Sequence, residues 1–171
     1  MNEFIVFGKP VIDSEEISEV LDSLKSGWLG TGPKAKLFEE GIAKYKGVKN
    51  SVALNSATAG LHLSCLALDL KPGDEIITTA MTFCATVNSI IHAGAKPVLV
   101  DIDPISWNID SKKIEAKINN KTRAIIPVHF AGRPCKMDEI IYLADKYKLA
   151  VLEDCAHAIE TEIHGNNVGT F

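Results

Sequence analysis

KPGDEIITTAMTFCATVNSIIHAGAKPVLVDID, residues 71–103, reads as strand, helix, strand. KPGD turns the chain, and EIITT (75–79) is a short apolar, β-branched run of the kind that forms strands. TFCATVNSIIHAG carries a helical apolar period that stops at Gly94, and PVLVDID (97–103) returns to a strand pattern. Two strands joined through a helix cannot form a hairpin, so they run parallel.

The same rhythm extends in both directions. Upstream, SVAL (51–54) is expected as a strand and NSATAG opens the helix LHLSCLALDL, which is apolar nearly all round and so expected to be central and buried. Downstream follow a weaker amphipathic helix (SKKIEAKIN), strand RAIIPVHF, helix MDEIIYLADKY and strand AVLED. Strands bridged by helices predict an α/β fold, a mostly parallel sheet sandwiched by helices. Before this unit, Asp13 and Glu16 form a capping box for a helix with Ile17, Val20, Leu21 and Leu24 on one face, ended by Gly27. GWLGTGP leads to Pro33, suited to the first turn of a second helix carrying Leu37, Phe38, Ile42 and Tyr45 inward and stopped by Gly47. The predicted organisation is an N-terminal helical arm and substrate loop over 1–50, then the sheet domain over 51–171.

The bulk properties exclude several classes. With 171 residues, 46% of them hydrophobic, the chain has material for a core. A net charge of −4, with both signs interspersed, offers no basic face for nucleic acid. Cys65, Cys84, Cys135 and Cys155 show no CxxC and no short-spaced histidine, so they read as buried thiols in a reducing compartment and no metal site is expected. MNEFIVFGKP lacks a signal-peptide stretch and no run approaches a membrane span, which predicts a cytoplasmic protein. The chain ends at GNNVGTF without a helix closing the pattern, and so reads as cut off.

Ligands of such sheets bind at the carboxyl ends of the strands. Those ends carry NSATAG, TTAMTF, DID, VHF and EDCAHA. NSATAG lies at a helix N-terminus, where free amides and the dipole favour a phosphate; equally, Ser56 can simply cap the helix. No GxGxxG follows a strand and no GxxxxGK[ST] occurs, so the common nucleotide motifs do not apply. In VLEDCAHA (151–158), Asp154 ends an apolar run, where a carboxylate costs free energy unless something positive meets it. A phosphate at one strand end and a carboxylate at another suit pyridoxal 5'-phosphate, whose pyridine nitrogen a carboxylate keeps protonated. Phe83 is then a candidate for stacking on the ring and His157 for its phenolic oxygen.

NSATAGLHL, KPGDEIITTAMTFCATVN, AKPVLVDID, TRAIIPVHFAG and VLEDCAHA, with the opening SGWLGTGPKAKLFEE, together resemble the DegT–StrS family of fold type I, pyridoxal-phosphate-dependent sugar aminotransferases. The resemblance implies the N-terminal part of that fold's large domain. It implies that Thr58 and Ala59, beside Ser56, bind the cofactor phosphate. Phe83 stacks where many relatives have tryptophan, Asp154 pairs with the ring nitrogen, and His157 stands where glutamine is frequent. It also implies a homodimer acting on a nucleotide-linked sugar with an amino-acid donor, glutamate by expectation, in polysaccharide or glycan precursor synthesis. Trp28 and His129 are candidates for the substrate side. The family's Schiff-base lysine lies beyond Phe171, so the chain alone is expected to be inactive. Lys96, Lys121, Lys136 and Lys148 read as solvated charges. Two alternatives stay open: a dehydratase of the same family that uses pyridoxamine phosphate, and a non-catalytic binding module. His62 reads as a core histidine, His92 as complementing a helix C-terminus, and His164 as a solvent-facing turn residue.

Overall fold

Residues 75–79 form the centre of the sheet. The structure, a computed structural model, describes residues 8–171; the reading of no signal peptide falls largely on residues outside these. β1 (Glu75–Thr79) is buried along its whole length, and it pairs in parallel with β2 (Lys96–Val100) on one side and β3 (Thr122–Ile125) on the other. β4 (Ala150–Val151) adds to β3, again parallel, giving the order β2-β1-β3-β4. The chain therefore leaves β1 in one direction and returns on its other side.

That reversal places helices on opposite faces, because parallel crossovers share one hand. α3 (Ala57–Ala67) and α4 (Cys84–His92) cover one face, where Cys65 and Ile90 pack on Ile76, Ala124 and Ile126. α5 (Ser111–Ile114), a following 3-10 turn (Glu115–Lys117) and α6 (Met137–Tyr147) belong to the other, where Ile114, Met137, Ile140 and Leu143 pack on Ile77, Val100 and Ile125. Adjacent isoleucines at 76 and 77 thus feed two different cores, as a period of two requires.

The chain divides into two compact units. The first runs to Lys44 and includes Lys49–Ala53; the second holds Tyr45–Val48 and Leu54–Phe171. In the first, α1 (Ser14–Ser26) begins with the Asp13–Glu16 capping box and ends at Gly27, whose φ is +73°. α2 (Pro33–Lys46) starts at the proline. Their apolar stripes exist but are not covered: Ile17, Val20, Leu21, Leu24, Leu37, Phe38 and Tyr45 are exposed, against the expectation that the second helix turns its stripe inward.

Two other expectations change. SVAL forms no strand; the Ala53 amide donates to Glu39 Oε1 and the Ser51 hydroxyl to the Glu39 carbonyl, so these polar groups are satisfied without a sheet neighbour. α3 is only half sunk: Leu61 and Cys65 are buried while Leu63 and Leu66 are exposed. Near the end of the chain, β5 (Glu162–Ile163) and β6 (Asn166–Asn167) make a small antiparallel hairpin. Its turn residues His164 and Gly165 both have positive φ, and His164 is exposed.

Candidate active site

The switch in chain direction lies between β1 and β3, and the segments that follow β1, β3 and β4 form a small cavity of about 50 Å³. Thr82, Phe83, Val128, His129, Phe130, Asp154, Ala156 and His157 line it. All eight belong to the strand-end segments picked out in the sequence, and the fold brings the candidates Phe83, His129, Asp154 and His157 to one place.

Asp154 is held firmly. A parallel bridge to Val128 continues the β3–β4 pairing past the strands. The Asp154 amide donates to the Pro127 carbonyl at 2.9 Å, and its carbonyl accepts from His129 N–H at 3.1 Å. Its carboxylate is buried, the residue being 6% exposed. Oδ2 accepts from the Thr86 hydroxyl at 2.7 Å and Oδ1 from the Ala156 amide at 3.2 Å. Thr86 in turn meets the Thr82 hydroxyl at 2.7 Å. Among the described residues, no cationic side chain lies within 4 Å of this carboxylate. A buried anion with two neutral donors and no countercharge fits a cationic ligand.

The neighbouring groups differ in availability. Phe83, the residue before α4, is 73% exposed and presents its ring without a packing partner of its own. His157 is exposed. His129, expected on the substrate side, has both ring nitrogens engaged inside the protein: Nδ1 accepts from Cys135 N–H, and Nε2 lies 3.0 Å from Glu153 Oε2. Burial pushes the Glu153 carboxyl up, but hydrogen bonds from His129 and from the Gly169 and Phe171 amides outweigh it and leave the group below its usual range. Cys155 lies close to this pair. Burial, then the negative charge of Glu153, pushes its thiol up to about 12, so the sulfur is a protonated neighbour.

The phosphate candidates stand elsewhere on the fold. Ser56 caps α3, its hydroxyl accepting from the Ala59 amide at 3.2 Å. That engages Ala59 and leaves the first-turn amides of Ala57 and Thr58 without an intrahelical partner. Trp28 belongs to the first unit and is 59% exposed; its indole N–H donates to the Thr31 carbonyl, and a side chain at Gly32 would collide with the ring. It braces its own loop. His62 is half-buried and edge-on to His92, which sits in the last turn of α4. Cys84 is exposed, against the reading of four buried thiols. Lys96 opens β2 at the opposite edge of the sheet and pairs with Glu75.

Sequence reasoning missed the Thr82–Thr86 relay and the His129–Glu153 pair. The threonines are four apart at a helix start, so their shared face was legible. The histidine and glutamate are 24 residues apart, and only strand adjacency joins them.

Sheet order, crossover layers and a ligand mouth at the switch point define an α/β domain of the pyridoxal-phosphate-dependent transferase type. The chain belongs to the DegT/DnrJ/EryC1/StrS aminotransferase family, whose profile matches residues 10–171. It is 47% identical over 170 residues to the spore coat polysaccharide biosynthesis protein SpsC of Bacillus subtilis, covering 99% of this chain and 44% of that one. It is also 47% identical over 168 residues to the UDP-4-amino-4-deoxy-L-arabinose–oxoglutarate aminotransferase of Shewanella sediminis, covering 98% and 43%. Among solved structures, the PMP and PLP forms of Spr1654 from Streptococcus pneumoniae superpose with TM-scores of 0.93 and 0.91 at 38% identity. The PMP-form match covers 96% of this chain and 46% of that one. The chain thus spans less than half the length of the curated relatives it matches. Among the described residues, no helix is long and apolar enough to cross a membrane.

Proposed function

We propose that the intact protein containing this chain is a pyridoxal-phosphate-dependent aminotransferase that moves an amino group from glutamate to a keto group of a nucleotide-linked sugar. The observation that carries this reading is the buried carboxylate of Asp154 at the sheet's switch point, which no cationic side chain among the described residues meets. When bound, the cofactor ring supplies an electron sink for the carbon that loses its proton. Asp154 holds the proton on the ring nitrogen, which makes that sink effective. Hydrogen bonds from Thr86 and the Ala156 amide aim the carboxylate, since a free rotor would lose the contact. Phe83 supports one ring face and His157 reaches the phenolic oxygen. Thr58, through its hydroxyl and amide, and Ser56 hold the phosphate at the start of α3; the Ala59 amide joins them when Ser56 releases it. Trp28 contacts the sugar side. The large domain begins near residue 51, a second copy completes a homodimer, and the lysine that carries the cofactor lies outside this chain. The likeness to relatives named for polysaccharide and aminosugar work supports the sugar acceptor.

The test is Asp154→Asn in the intact protein, an isosteric change that removes the charge. Transamination of a nucleotide-linked 4-keto sugar by glutamate should fall by about 100-fold or more, as the loss of a buried charge partner at the reacting system requires. A variant with the original rate overturns the reading.

A further inference from the structure

Glu153 joins three parts of the domain at one carboxylate. His129 arrives from beyond β3 and donates through Nε2 to Oε2 at 3.0 Å. Its tautomer is fixed, because Nδ1 accepts the Cys135 amide and so carries no proton. On the other oxygen, the Phe171 amide donates at 3.0 Å, and the Gly169 amide points at the same carboxylate. The side chains of Glu153 and His129 are almost wholly enclosed, at 4% and 0% exposed. Gly169 is itself constrained: its φ is +86°, and a Cβ there would sit 3.2 Å from Cys155 Sγ. Val168, fully buried, ties back through its amide to Thr161.

The next residue in the chain is Asp154. Its side chain goes to Thr86 on α4, while that of Glu153 goes to His129. The two acids are therefore anchored on different partners by one short backbone. Fixing Glu153 fixes the peptide from which Asp154 projects.

We infer that Glu153 and His129 are positioning residues which set the direction of the Asp154 carboxylate and lock the 169–171 segment beside it. This rests on the cofactor reading above. The pair works only as carboxylate and neutral imidazole. All its neighbours donate: one ring N–H and two backbone N–H groups. Glutamine at 153 would replace one acceptor oxygen by an amide that also donates, so donor would face donor on one side or the other. Asparagine at 129 retains an acceptor at the place of Nδ1 for the Cys135 amide and removes only the contact to Glu153. The titratable groups around Asp154 are Glu153, Cys155 and His157 on its own loop and His129 from beyond β3. Lys46 acts at Cys155, and α4 faces the carboxylate with the Thr86 hydroxyl.

The experiment uses the intact protein and pyridoxamine phosphate, which binds without a covalent link, titrated by fluorescence between pH 6 and pH 10. Glu153→Gln and His129→Asn should each weaken binding by about tenfold, the worth of one misaligned charged hydrogen bond. Each should also lower, by about one pH unit, the pH at which affinity declines, since the ring nitrogen gives up its proton sooner. Exchange of the Phe171 amide should quicken in both. A merely structural role would lower thermal stability and leave the pH profile in place, which overturns the inference; so does original affinity in both variants. Asp154→Asn separates the two readings. If it alone loses binding, the cofactor assignment stands and the positioning role falls. If it binds as before, both fall. Should Glu153→Gln not accumulate as folded protein, His129→Asn carries the test.

Discussion

Four cysteines show how far environment overrides residue type. Burial, followed by the charge of Glu153, pushes the thiols of Cys135 and Cys155 up to about 12. Burial alone raises that of Cys65. Cys84, the first residue of α4, is exposed. At pH 8 a thiol titrating near 12 is about one part in ten thousand thiolate, and the thiolate is the nucleophile. An aromatic disulfide reagent should therefore modify Cys84 in native protein well before the other three, which should react together on addition of denaturant. The stability consequence has a definite sign. Above the ordinary thiol pKa of about 8.5 the unfolded chain releases protons that folded Cys135 and Cys155 retain, so the unfolded state binds fewer. Stability must then fall as pH rises from there towards 12. Urea midpoints measured from pH 7 to pH 10.5 should decline, and Cys135→Ala with Cys155→Ala should flatten the slope.

Elements were legible where the signal is local. The Asp13–Glu16 capping box, Gly27, Pro33 and the 137–147 period fix helix ends by contacts within one turn, and the structure places α1, α2 and α6 there. Strands depend on neighbours. EIITT has one on each side and forms in full, whereas SVAL has none among the described residues and forms no strand. SKKIEAKIN shrinks to one helical turn and a 3-10 turn, because its buried apolar anchor is Ile114 and little follows it. Two glycines test this distinction between local and tertiary demands. Gly132 has φ +82°, and a Cβ there would lie 3.2 Å from the His157 carbonyl oxygen. Gly41 lies within α2, with open space at its Cβ. Gly41→Ala should stabilise by about 0.5–1 kcal/mol through helix propensity. Gly132→Ala should cost about 1–3 kcal/mol, because both φ and the His157 backbone oppose it. Denaturant unfolding of both variants checks the pair of signs.

At the scale of the whole molecule, parallel pairing was legible from strand spacing, but the order β2-β1-β3-β4 was not, since nothing local says on which side of β1 the third strand returns. That order decides the function, because it opens a mouth between β1 and β3 and divides the core into two layers. Asp154 could be picked out as an acid following apolar residues. Its Thr86 and Glu153–His129 surroundings could not, being assembled from segments 24 to 68 residues apart by the strand order. The two layers make a separate prediction. Ile90 belongs to the cluster under α3 and α4, Ile140 to the cluster under α5 and α6, and both are fully buried. Each isoleucine→alanine change should cost about 2–5 kcal/mol through lost transfer energy and the cavity left behind. With the sheet between them they share no packing partner, so the double variant should equal the sum within about 0.5 kcal/mol. Ile76→Ala, on the same face as Ile90 and in its cluster, is the contrast: that pair should depart from additivity, because one cavity relaxes into the other. Additive costs for Ile76 with Ile90, or strong coupling of Ile90 with Ile140, would contradict the two-layer core and the switch point that follows from it.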